Sequence, residues 1–577
     1  MINKNNLLKF LIMSKKFYLP ALVLAAIVSF SSCAKLKPLA EENVKVNPNP
    51  LETVAGEVPA TIDITIPAKW FVKKGEVTVT PVLRYEGGEV QGTPCTFQGE
   101  KAKGNATYVV PRKQGGNYQM KSTFKYAPAM KKSELYLVFD AKVKKKVKKL
   151  PDLKIADGVI ATSEWANIAN STPAIGADKY GDVSITHSAN IMFLIEQALV
   201  RGNQLNSKEM KEWNDILKDA YAQAQAGTQK VDVEILAYAS PDGPLDLNTR
   251  LSQDREKNAN KELDKQMKKD KIDLPINAKY TAEDWAGFKE LVEKSNMQDK
   301  DLILRVLSTY SDSEQRETKI KEMSAVFTYL ADEILPQLRR AKLNANVVVL
   351  KKPDAEVKSL AAGNPQSMTV EELLYAATLT NVLSEKAAIY KKAMDLFPDD
   401  YRGFNNAGMV AYQEGKFSEA ETLFKKAAQI NASAPEVNVN LGLIAYMNND
   451  KSSAQQYFGK GSGYALDEAL GLSSTDDGEY AKAVSKYGQT ATNNAAVAQI
   501  LAKDYNKAQA TLSAVPNPDA VTAYLKAVVA ARTNNQSGVI SNLKEAIQIN
   551  SAMKKEAAID LEFAKYFSNE DFQNLVK

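Results

Sequence analysis

The chain has 577 residues, of which 44% are hydrophobic and 25% are charged, so it is long enough for several globular domains. The formal net charge is +5, but residues 1–32 carry lysines and no acidic residue, so the rest is near neutral, without an overall attraction for nucleic acid. The cysteines, Cys33 and Cys95, and the single histidine, His187, exclude a disulfide-stapled scaffold, a cysteine-rich zinc site and a multi-histidine metal centre.

The first 32 residues have the pattern of an export signal. An apolar run, FYLPALVLAAIVSF, follows two lysines and ends at Ser31-Ser32-Cys33. Small residues directly before a cysteine resemble a bacterial lipobox, which implies that Cys33 is acylated, for instance with palmitate, and becomes the mature N-terminus. The alternative is a plain signal peptide with an incidental cysteine. Residues 33–56 are polar and contain several prolines, which predicts a flexible tether.

Residues 57–150 predict a β-sandwich-like domain. They alternate polar and apolar residues, are rich in Val, Thr, Tyr and Phe, and contain turn signals such as EGGE and KQGGN. The region ends in the lysine-rich run Lys142–Lys149. That run has two interpretations, a patch for lipid or glycan phosphates and an edge strand that lysines protect from aggregation, of which we favour the second. Residues 151–179 are predicted to be a linker.

Residues 180–352 predict an α/β domain. Apolar segments at 185–195, 231–240 and 344–350 indicate strands, and long amphipathic segments at 207–227 and 247–269 indicate helices. Residues 281–342 have the pattern of inserted helices. The predicted order is therefore β-α-β-α-(helical insert)-β.

Residues 369–577, after a short linker at 353–368, predict an all-helical repeat domain. A Gly, an Ala and a Phe recur 34 residues apart: Gly408 and Gly442, Ala420 and Ala454, Phe424 and Phe458. These positions resemble the tetratricopeptide repeat, which implies a superhelix of helix pairs with a concave groove for protein partners. The polar residues predicted to line that groove, with side-chain amides suited to a peptide backbone, are Asn405, Asn406, Asn438 and Asn440.

The segment from residue 235 to 263 resembles the peptidoglycan-binding signature of OmpA-like domains. The matching residues at the family's spacing are Tyr238, Gly243, Asn248, Leu251, Ser252 and Arg255. The resemblance implies that Arg255 binds the carboxylate of diaminopimelate in a wall peptide stem, and that Asn248 belongs to the same site. The family has an acidic residue where this chain has Ser240, so Asp242 is the candidate partner for the ammonium. The alternative is a domain that kept the fold and packs against protein.

Other candidate sites are weak. His187 lies in a predicted strand, where a lone histidine is usually a structural hydrogen-bonding residue. The segment GKGSG at 459–463 lacks the spacing of a phosphate-binding loop. Because no nucleophile–base set is recognisable, we expect no enzyme activity, no cofactor and no metal.

These patterns together predict a lipid-anchored outer-membrane protein that faces the periplasm. It would scaffold an envelope assembly, linking the membrane to peptidoglycan through the OmpA-like domain and docking proteins on the repeats. The alternative is a pure protein–protein scaffold of a secretion or surface-assembly machine, without peptidoglycan binding.

Overall fold

The computed structural model describes residues 36–143, 146–297 and 299–577. Cys33 and the predicted signal peptide lie outside these ranges. The described chain forms two compact units. Unit 1 combines the residues up to Thr172 with those from Gly463 onward, and unit 2 is Pro173–Ser462.

Unit 1 begins with a β-sandwich built from two sheets, in which all strand pairs are antiparallel except β6 with β7. Strands β1, β3 and β8 form one sheet, in that order, and the other has the order β10-β9-β4-β6-β7, with β11 also on β9 and β5 also on β4. The inward residues of both sheets share one apolar core. The strands are β1 Val44–Asn47, β2 Leu51–Glu52, β3 Glu57–Ile66, β4 Gly75–Tyr85, β5 Gly88–Gln91, β6 Cys95–Gly99, β7 Tyr108–Val110, β8 Gly116–Lys125, β9 Ser133–Val143, β10 Lys146–Lys149, β11 Leu153–Asp157 and β12 Val159–Ile160.

The N-terminal sheet-rich region is confirmed, but its boundaries are wider than predicted. Residues 36–56, predicted to be a tether, instead belong to the sandwich: β1 pairs with β3, and Leu36, Leu39 and Leu51 are buried. Burial of these leucines outweighs the flexibility that the prolines suggested. The predicted linker at 151–179 likewise begins with two strands, β11 and β12.

The last four residues of the lysine-rich run, Lys146–Lys149, form β10 at the edge of the larger sheet. β10 pairs only with β9 among the described strands, and all four of its residues are exposed. Residues 144 and 145 of the run lie outside the described ranges. The position of β10 fits the favoured interpretation, in which lysines discourage another chain from pairing with an open edge.

Unit 2 begins with an α/β domain. Its mixed sheet has the order β13-β16-β14-β15, with β15 parallel to β14 and the other pairs antiparallel. Strand β15 was not predicted, because its residues are mostly exposed and lack an apolar run. The elements are β13 Val183–Met192, α1 Gly202–Leu205, α2 Lys208–Gln225, β14 Gln229–Tyr238, α3 Leu245–Lys269, β15 Ile276–Thr281, α4 Trp285–Lys294, α5 Lys300–Thr309, α6 Ser313–Lys321, α7 Ser324–Tyr329, α8 Leu335–Leu338 and β16 Arg340–Val349.

Helices α2 and α3 cover the sheet with an apolar face. Trp213 and Leu217 on α2 and Leu263 on α3 are buried in one cluster with the inward residues of β14 and β16. Helices α4–α8, the predicted insert, have a separate core around Phe288 and Leu330. The insert is therefore a small helical subdomain between β15 and β16.

The remainder of unit 2 consists of helix pairs. Helix α9 occupies most of the predicted linker at 353–368. The pairs α12–α13 and α14–α15 pack through a glycine: a Cβ on Gly408 would lie 2.7 Å from Cε1 of Phe424, and one on Gly442 would lie 2.4 Å from Cε1 of Phe458. The helices are α9 Asp354–Gly363, α10 Val370–Thr378, α11 Leu383–Leu396, α12 Tyr401–Gln413, α13 Phe417–Ile430, α14 Pro435–Met447 and α15 Lys451–Phe458.

Unit 1 is completed by further helices of the same kind. Gly471 packs against Tyr487 as Gly408 packs against Phe424, which confirms an all-helical, repetitive C-terminal region. The helices are α16 Tyr464–Asp476, α17 Tyr480–Tyr487, α18 Asn493–Leu501, α19 Tyr505–Ser513, α20 Ala520–Arg532, α21 Gln536–Ile549, α22 Met553–Ala557 and α23 Glu570–Val576. In the ranges that the structure describes, no helix has the length and apolar character needed to cross a membrane.

Candidate functional sites

Side-chain amides on α12 and α14 bind a segment of the chain's own backbone. We call this segment, residues 173–180 of unit 2, the second strap, because a similar segment described below, the first strap, precedes it in the chain. Asn406 binds both polar groups of Gly176: its Oδ1 accepts from the backbone N at 2.8 Å and its Nδ2 donates to the backbone O at 2.9 Å. Asn440 binds Ala174 in the same way, with both distances 2.7 Å.

The pairing follows from the chemistry of an amide and from the repeat spacing. A side-chain amide has one acceptor and two donors, so it can bind the N–H and C=O of one residue together. Asn406 and Asn440 stand 34 residues apart, at equivalent places in successive helix pairs. Asn405 adds a bond to the Ala174 carbonyl at 3.0 Å and accepts from Asn440 at 2.9 Å, and all three side chains are buried.

Asn438 has a different role. Its Nδ2 donates to the carbonyls of Ala432 and Ala434, at 3.0 and 2.8 Å, where α14 begins. It therefore fixes the turn before its own helix, and these hydrogen bonds do not involve the second strap. Of the predicted groove residues, the structure brings together Asn405, Asn406 and Asn440.

Unit 1 contains a first strap, residues 165–172, held in a similar manner. Asn494 on α18 accepts from the backbone N of Asn167 at 3.0 Å and donates to its carbonyl at 2.9 Å. Glu468 on α16 accepts from the backbone N of Thr172 at 3.0 Å. Neither Asn494 nor Glu468 was predicted. The repeats that contain them are degenerate, and neither residue continues the 34-residue spacing of Asn406 and Asn440.

The first strap also has a buried charge and an aromatic anchor. Glu468 is fully buried, and this burial raises the pKa of its carboxyl group. The ring centroid of Trp165 lies 4.7 Å from that of Tyr524 on α20. In unit 2, Tyr180 and Tyr375 make the equivalent contact at 4.6 Å. Each strap is therefore fixed through both its backbone and an aromatic side chain.

The residues of the predicted peptidoglycan site lie at the end of β14 and on α3. Arg255 is only 1% exposed. Its Nε, Nη1 and Nη2 donate to the carbonyls of Gln197, Tyr238 and Leu194, at 3.0, 2.9 and 3.3 Å. The guanidinium thus supports the loop after β13 and has no exposed face for a ligand carboxylate.

The acidic partner is also engaged. The carboxylate of Asp242 forms an ion pair with Arg339 at 3.0 Å and a hydrogen bond with the Ser240 hydroxyl. Asn248 donates to the carbonyl of Gly243 at 3.0 Å, which closes the loop between β14 and α3. The cluster satisfies its own charges and hydrogen bonds.

The electrostatics of Arg255 reflect this enclosure. The pKa of its guanidinium is lowered to about 10, mainly by burial and also by the positive charge of Arg339, while Asp242 opposes the shift. Asp242 was the predicted partner for the ammonium group of the ligand. An ammonium group placed there would be repelled by the positive charge of Arg339, which already pairs with Asp242.

The remaining sequence candidates have structural surroundings. The backbone carbonyl of His187 accepts from Trp213 Nε1 at 3.0 Å, and the ring lies on β13. Residues 459–463 are the turn between α15 and α16. No cluster of three or more potential metal-ligating side chains occurs within the described ranges.

No protein-family model and no curated protein matches this chain. Similar solved structures include the APC/C heterotetramer Cut9–Hcn1 (15% identity, 50% of this chain and 57% of that chain, TM-score 0.30). PilF of Pseudomonas aeruginosa is 15% identical over 38% of this chain and 100% of its own, with a TM-score of 0.27. A tetratricopeptide repeat protein from Parabacteroides merdae is 13% identical over 48% and 99%, with a TM-score of 0.27.

Proposed function

We propose that this protein is a lipid-anchored scaffold of the bacterial cell envelope, exported to the outer membrane, facing the periplasm and without enzyme activity. The observation that carries the proposal is the presence of stacked helix pairs in each unit, α10–α15 in unit 2 and α16–α21 in unit 1, because such pairs offer surfaces for proteins. Cys33 supports the anchor, because it stands directly after the predicted signal peptide.

The arrangement of the straps refines where partners bind. The side chains predicted to hold a partner, Asn405, Asn406 and Asn440, already hold the second strap. A partner peptide at the same amides would have to displace the strap and replace all of its hydrogen bonds to these side chains. We therefore propose that partners dock on the outward faces of the helix pairs.

The strand-end cluster favours the scaffold without wall binding. Arg255 donates its hydrogen bonds to backbone carbonyls, and Asp242 is neutralised by Arg339. Binding diaminopimelate would break both arrangements and leave buried groups unpaired, at a cost of about 2–5 kcal/mol. Peptidoglycan binding is accordingly the second candidate, which rests on the OmpA-like spacing alone.

Sedimentation with purified peptidoglycan separates the two candidates. We expect residues 34–577 and their Asp242→Asn variant to stay in the supernatant. An OmpA-like domain that has both the arginine and the acidic residue of the family signature is the positive control and should pellet. Pelleting of this chain that a diaminopimelate-containing peptide competes away, and that Asp242→Asn weakens, would establish wall binding instead.

Native electrophoresis of gently solubilised membranes tests the scaffold itself. We expect the chain to migrate in an assembly much larger than the monomer, and charge reversal on the exposed face of α13, Lys425→Glu with Lys426→Glu, to weaken its association with that assembly. Migration of the full chain as a monomer at native expression levels would contradict the proposal.

A further inference from the structure

One end of the β-sandwich collects positive charge. Strands β3, β6, β7 and β9 end there and β4 and β8 begin there, as shown by the pairs Ile66–Gly116, Gly75–Val143 and Gly99–Val110. Loops 67–74 and 111–115 join the two sheets at this end, and loop 100–107 lies beside them. We call the cationic residues of these loops the basic end: Lys69, Lys73, Lys74, Lys101, Lys103, Arg112 and Lys113.

The loops that carry these charges are tied to one another. The backbone N of Lys69 donates to the carbonyl of Arg112 at 2.7 Å, and the backbone N of Lys101 donates to the carbonyl of Lys73 at 2.8 Å. All these side chains are exposed except that of Lys73, which is partly buried and pairs with Glu100 at 3.4 Å. The acidic residues in these loops and the adjoining strand ends are Glu76 and Glu100. The basic end is therefore a fixed, strongly cationic surface on a chain that is near neutral after its signal peptide.

The path of the chain places the expected lipid close to this domain. Leu36 and Leu39 are buried in the sandwich core, and β1 begins at Val44, opposite Ile64 near the end of β3. Cys33 is three residues before Leu36, so its Cα can be at most about 11 Å from that of Leu36. Because Leu36 is buried in the sandwich, a lipid on Cys33 would hold this domain next to the bilayer.

We propose that the basic end binds the phosphate groups of an anionic membrane surface and orients the sandwich on the bilayer that anchors it. The placement of the bilayer rests on the lipid anchor of the proposed function. The binding chemistry does not, because it needs only lysines, an arginine and phospholipid phosphates. A membrane is favoured over other polyanions because the anchoring cysteine fixes it as the neighbouring surface.

Vesicle flotation tests the inference without the lipid. Residues 34–577, which retain every described residue, are mixed with vesicles of phosphatidylcholine alone or with roughly 30 mol% phosphatidylglycerol. We expect binding only to the anionic vesicles, and its loss in about 0.5 M salt. The triple variant Lys101→Gln, Lys103→Gln, Lys113→Gln should bind about 100-fold more weakly, at about fivefold for each lysine removed.

A matched variant controls for total charge. Lys257→Gln, Lys261→Gln, Lys265→Gln removes as many exposed lysines from α3, and we expect it to bind like the unaltered chain. Circular dichroism melting of both variants confirms that they fold. Equal binding to both vesicle types, or no difference between the triple variants, would overturn the inference. So would tighter binding to heparin or duplex DNA, since the ligand would then be a soluble polyanion. A negative result in this test would not contradict the scaffold proposal. The test also does not depend on acylation of Cys33, because the protein used begins at residue 34.

Discussion

At the scale of single residues, the asparagines of α12, α14 and α18 show how a helix can hold an extended segment. Such a segment has no neighbouring strand, so its backbone N–H and C=O groups need other partners when they are buried. Asn406, Asn440 and Asn494 each provide a donor and an acceptor to one residue of a strap. A single amide side chain thereby replaces two bonds of a β-ladder.

Replacing one of these asparagines should destabilise unit 2. Asn406→Ala leaves the N–H and C=O of Gly176 buried and unpaired, so we expect the free energy of unfolding to fall by about 1–3 kcal/mol. Urea unfolding followed by circular dichroism measures the change. Asn448→Ala, at an exposed position, is the control and should change stability by less than about 0.5 kcal/mol. Equal stabilities of the two variants would contradict this role.

Glu468 should make stability depend on pH. Burial raises the pKa of its carboxyl group, so the folded chain holds this proton more tightly than the unfolded chain does. The resulting stabilisation is complete below the ordinary glutamate pKa and is lost as pH rises through the raised native pKa. We expect the urea midpoint to fall more steeply with rising pH in the unaltered chain than in Glu468→Gln. Parallel pH profiles of the two proteins would show that the group does not titrate as expected.

At the scale of elements, the helix pairs depend on glycine where two helices touch. Gly442→Ala would place a Cβ 2.4 Å from Phe458 Cε1, so we expect a loss of about 1–3 kcal/mol in unfolding free energy. A second change, Phe458→Leu, should recover part of it. Gly363→Ala, where nothing lies within 4 Å, is the control and should be neutral or stabilising. A neutral Gly442→Ala would mean that the helices separate without cost.

The loop after β13 depends on Arg255. Arg255→Leu removes the donors to the carbonyls of Leu194, Gln197 and Tyr238, so we expect faster amide exchange in residues 194–198. Hydrogen–deuterium exchange with mass spectrometry measures it. The exposed neighbour Arg250 provides the control, and Arg250→Leu should leave exchange in this loop unchanged. Unchanged exchange in Arg255→Leu would show that the loop is held by other contacts.

Patterns with a period were predictable from the sequence, and contacts through single side chains were not. The buried alternation of β3 and β4 and the 34-residue recurrence of Gly408 and Phe424 are local signals of burial, and they predicted a sheet-rich and a helical region. The straps have no periodicity, because side chains far along the chain satisfy their backbones. The interpretation of Arg255 met the same limit, since a spacing motif does not show which groups the guanidinium faces.

At the scale of the whole molecule, the proposed lipid anchor on Cys33 would determine location. We expect Cys33 to incorporate an alkyne-labelled palmitate analogue in cells, and Cys33→Ser to lose both the label and recovery in the membrane fraction. Cys95→Ser, at a buried cysteine inside the sandwich, is the control and should keep both. Labelling that persists in Cys33→Ser would place the acyl chain elsewhere.

Unit 1 joins the two ends of the described chain, and this has a consequence for the order of folding. Arg532 contacts Glu52 at 2.6 Å and Glu562 at 2.6 Å, so residues near the N-terminus and near the C-terminus share one ion-pair network. A chain exported from its N-terminus presents the sandwich long before residue 532 emerges, and Glu52 must wait for its partner. Loss of α20 and the helices after it would therefore leave Glu52, 480 residues before Arg532, without its cationic partner and would destabilise the N-terminal part of unit 1.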